Sequence, residues 1–179
     1  MPKLTDREIS DFLDEPGHLV RIGTVDADGA PRVVPTWFVY DAGRILFTPR
    51  GTSVFLDNLR RNPRVALSVD EEPLPYRKVT VQGEAVMLHD VGVDDVWRDT
   101  YRRIACRYIP EEAADAYIQD TIDQPRALLS VSLMHSRVST WRMPVGEEQH
   151  TGIWARRYYA DGTHMADLVA QGSGHGAYA

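Results

Sequence analysis

Apolar residues in this chain come in short runs separated by turn residues, the pattern of an antiparallel sheet. Residues 19–25 form the first run and end in the turn Asp26-Ala27-Asp28-Gly29. Residues 32–40 form the second and end at Asp41-Ala42-Gly43; residues 45–48 form the third. Gly29 and Gly43 supply the positive φ that tight hairpins require. Further strands are predicted over 65–70, 76–88 and 127–133, and 138–141 continues the last of these or forms a short final strand. Gly83, inside the longest of them, signals a bulge or a close backbone approach. The expectation is a mainly β chain of about six to seven antiparallel strands closed into a barrel, with helical insertions. No Gly-x-Gly-x-x-Gly follows the first strand, which argues against a Rossmann dinucleotide site.

Helices are predicted in three places. Thr5 and Glu8 have capping-box spacing ahead of a helix over about 6–13. The polar stretch Pro49-Arg50-Gly51-Thr52-Ser53 leads into a short helix that closes on Asn58-Leu59-Arg60-Arg61-Asn62-Pro63-Arg64. From 93 to 123 the period lengthens: Trp97, Tyr101, Ile104, Ala105 and Tyr108 stand mostly three and four apart, and Pro110-Glu111-Glu112 starts a second helix. Beyond Pro144 only a short turn near Ala166 is suggested. The domain is therefore drawn over 1–145, with 146–179 as a C-terminal extension that packs on the barrel or is partly disordered. Trp154, Arg156, Arg157, Tyr158 and Tyr159 mix cations and aromatics, as in a tail packing on a barrel, a lid over a ligand or a partner contact.

At 179 residues, 43% apolar and 26% charged, the chain has the composition of one globular domain with a sizeable core. A net charge of −6 argues against general nucleic-acid binding. No apolar stretch approaches the ~18 residues that span a bilayer. The first residues show no secretory h-region, and the lone Cys106 cannot form an internal disulfide, so a cytoplasmic location is expected. No two of His18, His89, His135, His150, His164 and His175 stand three or four apart, so no metal site is expected. Lys3 and Lys78 are the only lysines. An anion site here must rely on arginine forks, backbone N–H groups and hydroxyls. The segment from Thr48 to Ser53 offers all three: the Arg50 fork, the Thr52 and Ser53 hydroxyls, and Gly51 for close backbone approach ahead of a helix N-terminus. Its plainer reading is a capped surface loop.

The segment 58–67, Asn-Leu-Arg-Arg-Asn-Pro-Arg-Val-Ala-Leu, and the first hairpin, 23–35, resemble the pyridoxamine 5'-phosphate oxidase-like split barrels that bind flavin mononucleotide (FMN) or a deazaflavin. The resemblance runs from about Glu8 to Trp141. It implies a split β-barrel, a homodimer with cofactor sites at its interface, and an FMN-dependent oxidoreductase acting on a small organic substrate. The deazaflavin F420 is the alternative cofactor, and a non-catalytic flavin- or haem-binding protein is the alternative of another class. By the same resemblance Val34, Pro35, Thr36 and Trp37 line the ring, and Thr48, Arg50, Thr52 and Ser53 lie near the ribityl phosphate. Arg77, Lys78, Gln82, Trp141 and Arg142 are the candidates for completing the partner's site. Trp37 also fits a core-facing strand aromatic. No catalytic acid or base is implied. One position departs from the family: Phe55 stands where it places a phosphate-binding lysine. Without that lysine, either Arg50, Thr52 and Ser53 bear the phosphate alone, the anion sits differently, or the flavin site has decayed. Phe55 also reads as a core residue paired with Leu59 one turn on, and both can hold together.

Overall fold

The structure is a computed structural model that describes residues 2–148 and 159–172. Residues 2–143 form one compact unit. Its elements are α1 (Asp6–Asp14), β1 (Val20–Val25), β2 (Pro31–Thr36), β3 (Phe38–Asp41), β4 (Arg44–Phe47), α2 (Val54–Arg61), β5 (Arg64–Asp70) and β6 (Lys78–His89). A 3₁₀ turn (Asp94–Trp97), α3 (Arg98–Cys106), α4 (Glu111–Asp120), β7 (Leu128–Ser132) and β8 (Arg137–Trp141) follow. In the second unit, which begins at Pro144, the helix α5 (His164–Gly172) occupies the place where a short turn was expected. His150, Trp154, Arg156, Arg157, Tyr158 and His175 lie outside the described residues.

The sheet is antiparallel with strand order β2-β1-β5-β6-β7-β4-β3, and β8 pairs with the first half of β6. This is a split barrel. β2 and β3 sit at opposite ends of that order yet follow one another in the chain, so the sheet must curl until its two ends meet at Trp37. The single strand expected over 32–40 is therefore two, and the described strands number eight. The reason lies far away in sequence. At the corner the Phe38 N–H donates to the Tyr108 hydroxyl (3.1 Å) instead of to a strand, and that hydroxyl donates to the His18 carbonyl (2.7 Å). A buried backbone donor needs a partner, and a phenol supplies it here.

β6 serves both halves of the barrel. Residues 78–84 pair with β5, 78–82 also pair with β8, and 85–89 pair with β7. Gly83 stands at this switch. A Cβ there would lie 2.1 Å from Ser136 Oγ, so the close approach read from the sequence is to the turn between β7 and β8.

The main core fills the barrel with Phe12, Leu13, Val20, Ile22, Phe38, Ile45, Phe47, Leu56, Val69 and Val79 among its fully buried members. Each such side chain contributes on the order of 1.5–3 kcal/mol by leaving water. α1 closes one end. Its capping box is formed, with the Thr5 hydroxyl accepting from the Glu8 N–H (3.3 Å) and the Glu8 carboxylate from the Thr5 N–H (2.7 Å). The last turn of α1 carries no basic residue. Arg107 supplies the charge instead, donating to the Leu13 and Glu15 carbonyls, both at 2.8 Å. A second apolar cluster (Val39, Leu46, Trp97, Tyr101, Ile104, Ile118, Leu128) packs α3 and α4 on the outside of β3, β4 and β7.

The helix α2 explains the most specific stretch of the sequence. Asn58 is 2% exposed and donates to Thr24 Oγ1 (3.1 Å) and Asp26 Oδ1 (2.6 Å). Arg61 donates to the Val25 carbonyl (2.6 Å) and to Asn58 Oδ1 (2.9 Å), and Arg32 grips Asp26 with two bonds of 2.7 Å. The Asn-Leu-Arg-Arg segment thus locks α2 onto the first hairpin. Phe55 is 7% exposed and belongs to the main core, as its packing reading has it.

Candidate functional site

Pro35 and Thr36 end β2, Trp37 follows them, and Thr48 follows β4. Although 11 or more residues apart in sequence, they line one cavity of about 270 Å³ with Leu19, Tyr101, Tyr117 and Arg126. The corner at Trp37 makes this possible, because it carries β2 to one edge of the sheet while β3 pairs with β4. Trp37 stacks on Tyr108 (centroids 5.0 Å apart, planes 5° apart) and meets Tyr117 edge-on at 5.7 Å. Such pairs stiffen an aromatic wall.

Arg126 is the residue that sequence reasoning missed. It is 8% exposed and lies over the Tyr101 ring at 4.6 Å. Its Nη2 donates to the Tyr117 hydroxyl (3.0 Å) and its Nη1 to the Thr48 carbonyl (3.4 Å), while Nε is buried without a partner among the described residues. The only hint in the sequence is a charged residue opening the otherwise apolar run 127–131. Burial pushes the Tyr101 hydroxyl pKa up. Burial pushes Tyr117 up too, but the Tyr101 hydroxyl and the charges of Arg126 and Arg50 outweigh it, and its pKa falls below the ordinary tyrosine value.

The Thr48–Ser53 loop is sewn to the strand that carries Arg126. Gly51 N–H donates to the Pro125 carbonyl (2.7 Å), Ala127 N–H to the Pro49 carbonyl (3.0 Å), and the Arg50 and Arg126 backbones form an antiparallel bridge. The close approach that Gly51 permits is thus used by the protein itself: a Cβ there would sit 3.2 Å from the Pro125 carbonyl. Thr52 is exposed. The Ser53 hydroxyl donates back to the Arg50 carbonyl (2.7 Å) and makes no capping bond to α2.

The other predicted residues lie elsewhere. Val34 packs against the main core. The Arg77 guanidinium donates to Glu15 and Glu71 at 2.6–2.8 Å and lies over Phe12. This pairing lowers both carboxyl pKa values, the Arg77 hydrogen bond being the largest cause in each. Glu15, His18 and Glu71 gather within 4.8 Å, but Arg77 already meets their charge. Trp141 receives Lys78 Nζ over its ring at 4.8 Å, and Arg142 Nη1 donates to the Met143 carbonyl (3.1 Å). Gln82 lines a broad, largely apolar trough of about 560 Å³ on the outer face of β2, β1, β5 and β6. Its floor is Gly23 and Ala66, which pair across the strands and leave no large side chain between Val33 and Gln82.

Comparison with known proteins fits this architecture. The family model described as pyridoxamine 5'-phosphate oxidase matches residues 5–142. A conserved hypothetical protein of Mycobacterium tuberculosis superposes with a TM-score of 0.63 at 20% identity, covering 83% of this chain and 94% of that one. A structure described as an F420 reductase gives 0.53 at 24% identity, covering 76% and 98%. The heme storage protein HutZ of Vibrio cholerae gives 0.56 at 20% identity, covering 75% and 94%. At these identities the likeness is one of fold. No curated protein sequence matches the chain.

Proposed function

The chain belongs to the pyridoxamine 5'-phosphate oxidase family, and on that premise we propose that it is an FMN-dependent oxidoreductase acting on a small organic substrate. The observation that carries the reading is the convergence of Pro35, Thr36, Trp37 and Thr48 on one cavity lined also by Tyr101, Tyr117 and a buried arginine. The residues fit a flavin. A flat ring finds apolar and aromatic walls, and Arg50 and Arg126 set a positive field beside it. At about 270 Å³ the cavity falls just short of the ~300–1,000 Å³ of complete small-molecule pockets, which accords with a site that a second copy of the chain completes. When bound, the cofactor supplies the hydride or electron chemistry. Pro35, Thr36 and Trp37 would hold the ring, the Trp37–Tyr108 stack would stiffen that wall, and Arg50 and Arg126 would steady negative charge.

The test is a spectral titration of the purified chain with FMN, F420 and haem in turn. FMN should bind with a shifted flavin band, and Trp37→Ala should weaken it. Arg50→Ala should weaken it by roughly 1.5–3 kcal/mol if Arg50 contacts the phosphate. Uptake of haem or F420 with no FMN binding would overturn the choice of cofactor.

A further inference from the structure

We propose that Arg126 is the specificity residue of this cavity, and that the substrate it selects is a flat organic molecule carrying a single carboxylate. The proposal rests on the reading of the cavity as a ligand site and adds the chemical class of the ligand.

The first observation is charge. Among the described residues no carboxylate lies within salt-bridge distance of the Arg126 guanidinium, although the residue is 92% buried by its 8% exposure. Asp94 comes near, but it accepts from the Arg126 backbone N–H (3.1 Å). Its hydrogen-bond partners, a phenol and a carbonyl, are neutral, and so is the Tyr101 ring it lies over. A buried cation is costly unless an anion or a full set of hydrogen bonds offsets it, and here Nε has no acceptor among the described residues. The second observation is position. Arg126 lines the cavity itself together with Trp37 and Thr48, and Arg50 is bridged to it through the backbone. A ligand anion entering the cavity gains an attraction that solvent screens little.

The donor set decides which anion. A phosphate dianion asks for dense donors, such as several backbone N–H groups with a lysine or paired arginines. The lining residues include no lysine, and two Arg126 nitrogens are committed to Tyr117 and Thr48. One partly committed guanidinium matches one negative charge. Tyr101 and Tyr117 add aromatic surface to a lining that is otherwise mixed polar and apolar, which suits an aromatic body better than a flexible polar one. The inference is therefore an aromatic or conjugated monocarboxylate.

The probes are benzoate, its neutral analogue benzamide, and phenyl phosphate, added to the cofactor-free chain at matched ionic strength and followed by thermal melting. Benzoate should raise the melting temperature in a concentration-dependent way, benzamide should not, and phenyl phosphate should act more weakly than benzoate. Arg126→Met should weaken benzoate by about 10- to 100-fold, and Arg126→Lys should retain part of the effect. Equal shifts from benzoate and benzamide, a larger shift from phenyl phosphate, or an undiminished benzoate shift in Arg126→Met would each overturn the proposal. The comparison in the wild-type chain decides even if Arg126→Met does not fold. FMN titration of the same samples separates the two readings: a wild-type chain that answers to benzoate but takes up no flavin would sink the cofactor and leave Arg126 standing.

Discussion

Phe55 shows how one position can mislead. By its place in the motif it stands where the family offers a lysine to a phosphate, but the side chain is buried with Leu56 and Leu59 against the barrel core. Phe55→Lys should therefore destabilise the fold by several kcal/mol, since it removes a packed ring and buries an ammonium. The check is denaturant unfolding alongside FMN titration; tighter FMN binding with unchanged stability would reject the core assignment. Asp26 gives a second residue-level prediction. Two hydrogen bonds from Arg32, then one from Asn58, hold its carboxyl at a pKa of about 2 against an ordinary 3.8. The depressed value means that the folded chain favours the carboxylate. This stability is present above pH 3.8 and is lost as pH falls towards 2. Unfolding measured across that window should show a steeper acid loss in wild type than in Asp26→Asn. Parallel curves would remove Asp26 from the acid response.

At the scale of elements, β6 and the corner between β2 and β3 shape the barrel. Gly83 sits where β6 passes from one set of partners to the other, with Ser136 occupying the space of its missing side chain. Ser136 Oγ is held by a 2.6 Å bond to the Ser132 carbonyl, so it cannot swing away without losing that bond. Gly83→Ala should cost about 1–3 kcal/mol through this clash. Pairing it with Ser136→Gly should recover most of the loss, and a double variant no better than the single one would refute the account. The capping box of α1, the hairpin glycines and the pause at Gly83 were legible because each is written within a few residues of its effect. The break at Trp37 was not, because the hydroxyl that replaces the strand partner comes from Tyr108, 70 residues away from Phe38.

For the whole molecule, the proposed site at a dimer interface makes its own prediction. The outer trough, floored by Gly23 and Ala66 with Val33 66% exposed beside it, is an apolar surface of the kind a two-fold partner covers. Sedimentation at micromolar concentration should show a species of twice the 20.2 kDa chain mass, and Val33→Asp should shift it towards the monomer. A monomer in both would remove the interface, and with it the idea that a second copy completes the cofactor site. The sequence by itself determined the period-two strands, their turns, the helical interval at 93–123 and, through the Asn-Leu-Arg-Arg segment, the family. Those features depend on neighbours in the chain, where alternation, caps and turn residues act directly. Only the tertiary structure decided that Arg77 is spent on Glu15 and Glu71, that Phe55 is core, and that Arg126, without a counter-ion among the described residues, lines one cavity with Trp37 and Thr48. Each of these is a matter of which distant side chain arrives at a given point in space. That is set by how the barrel curls and where the α3–α4 insert packs, and it leaves no mark on the residues immediately around it.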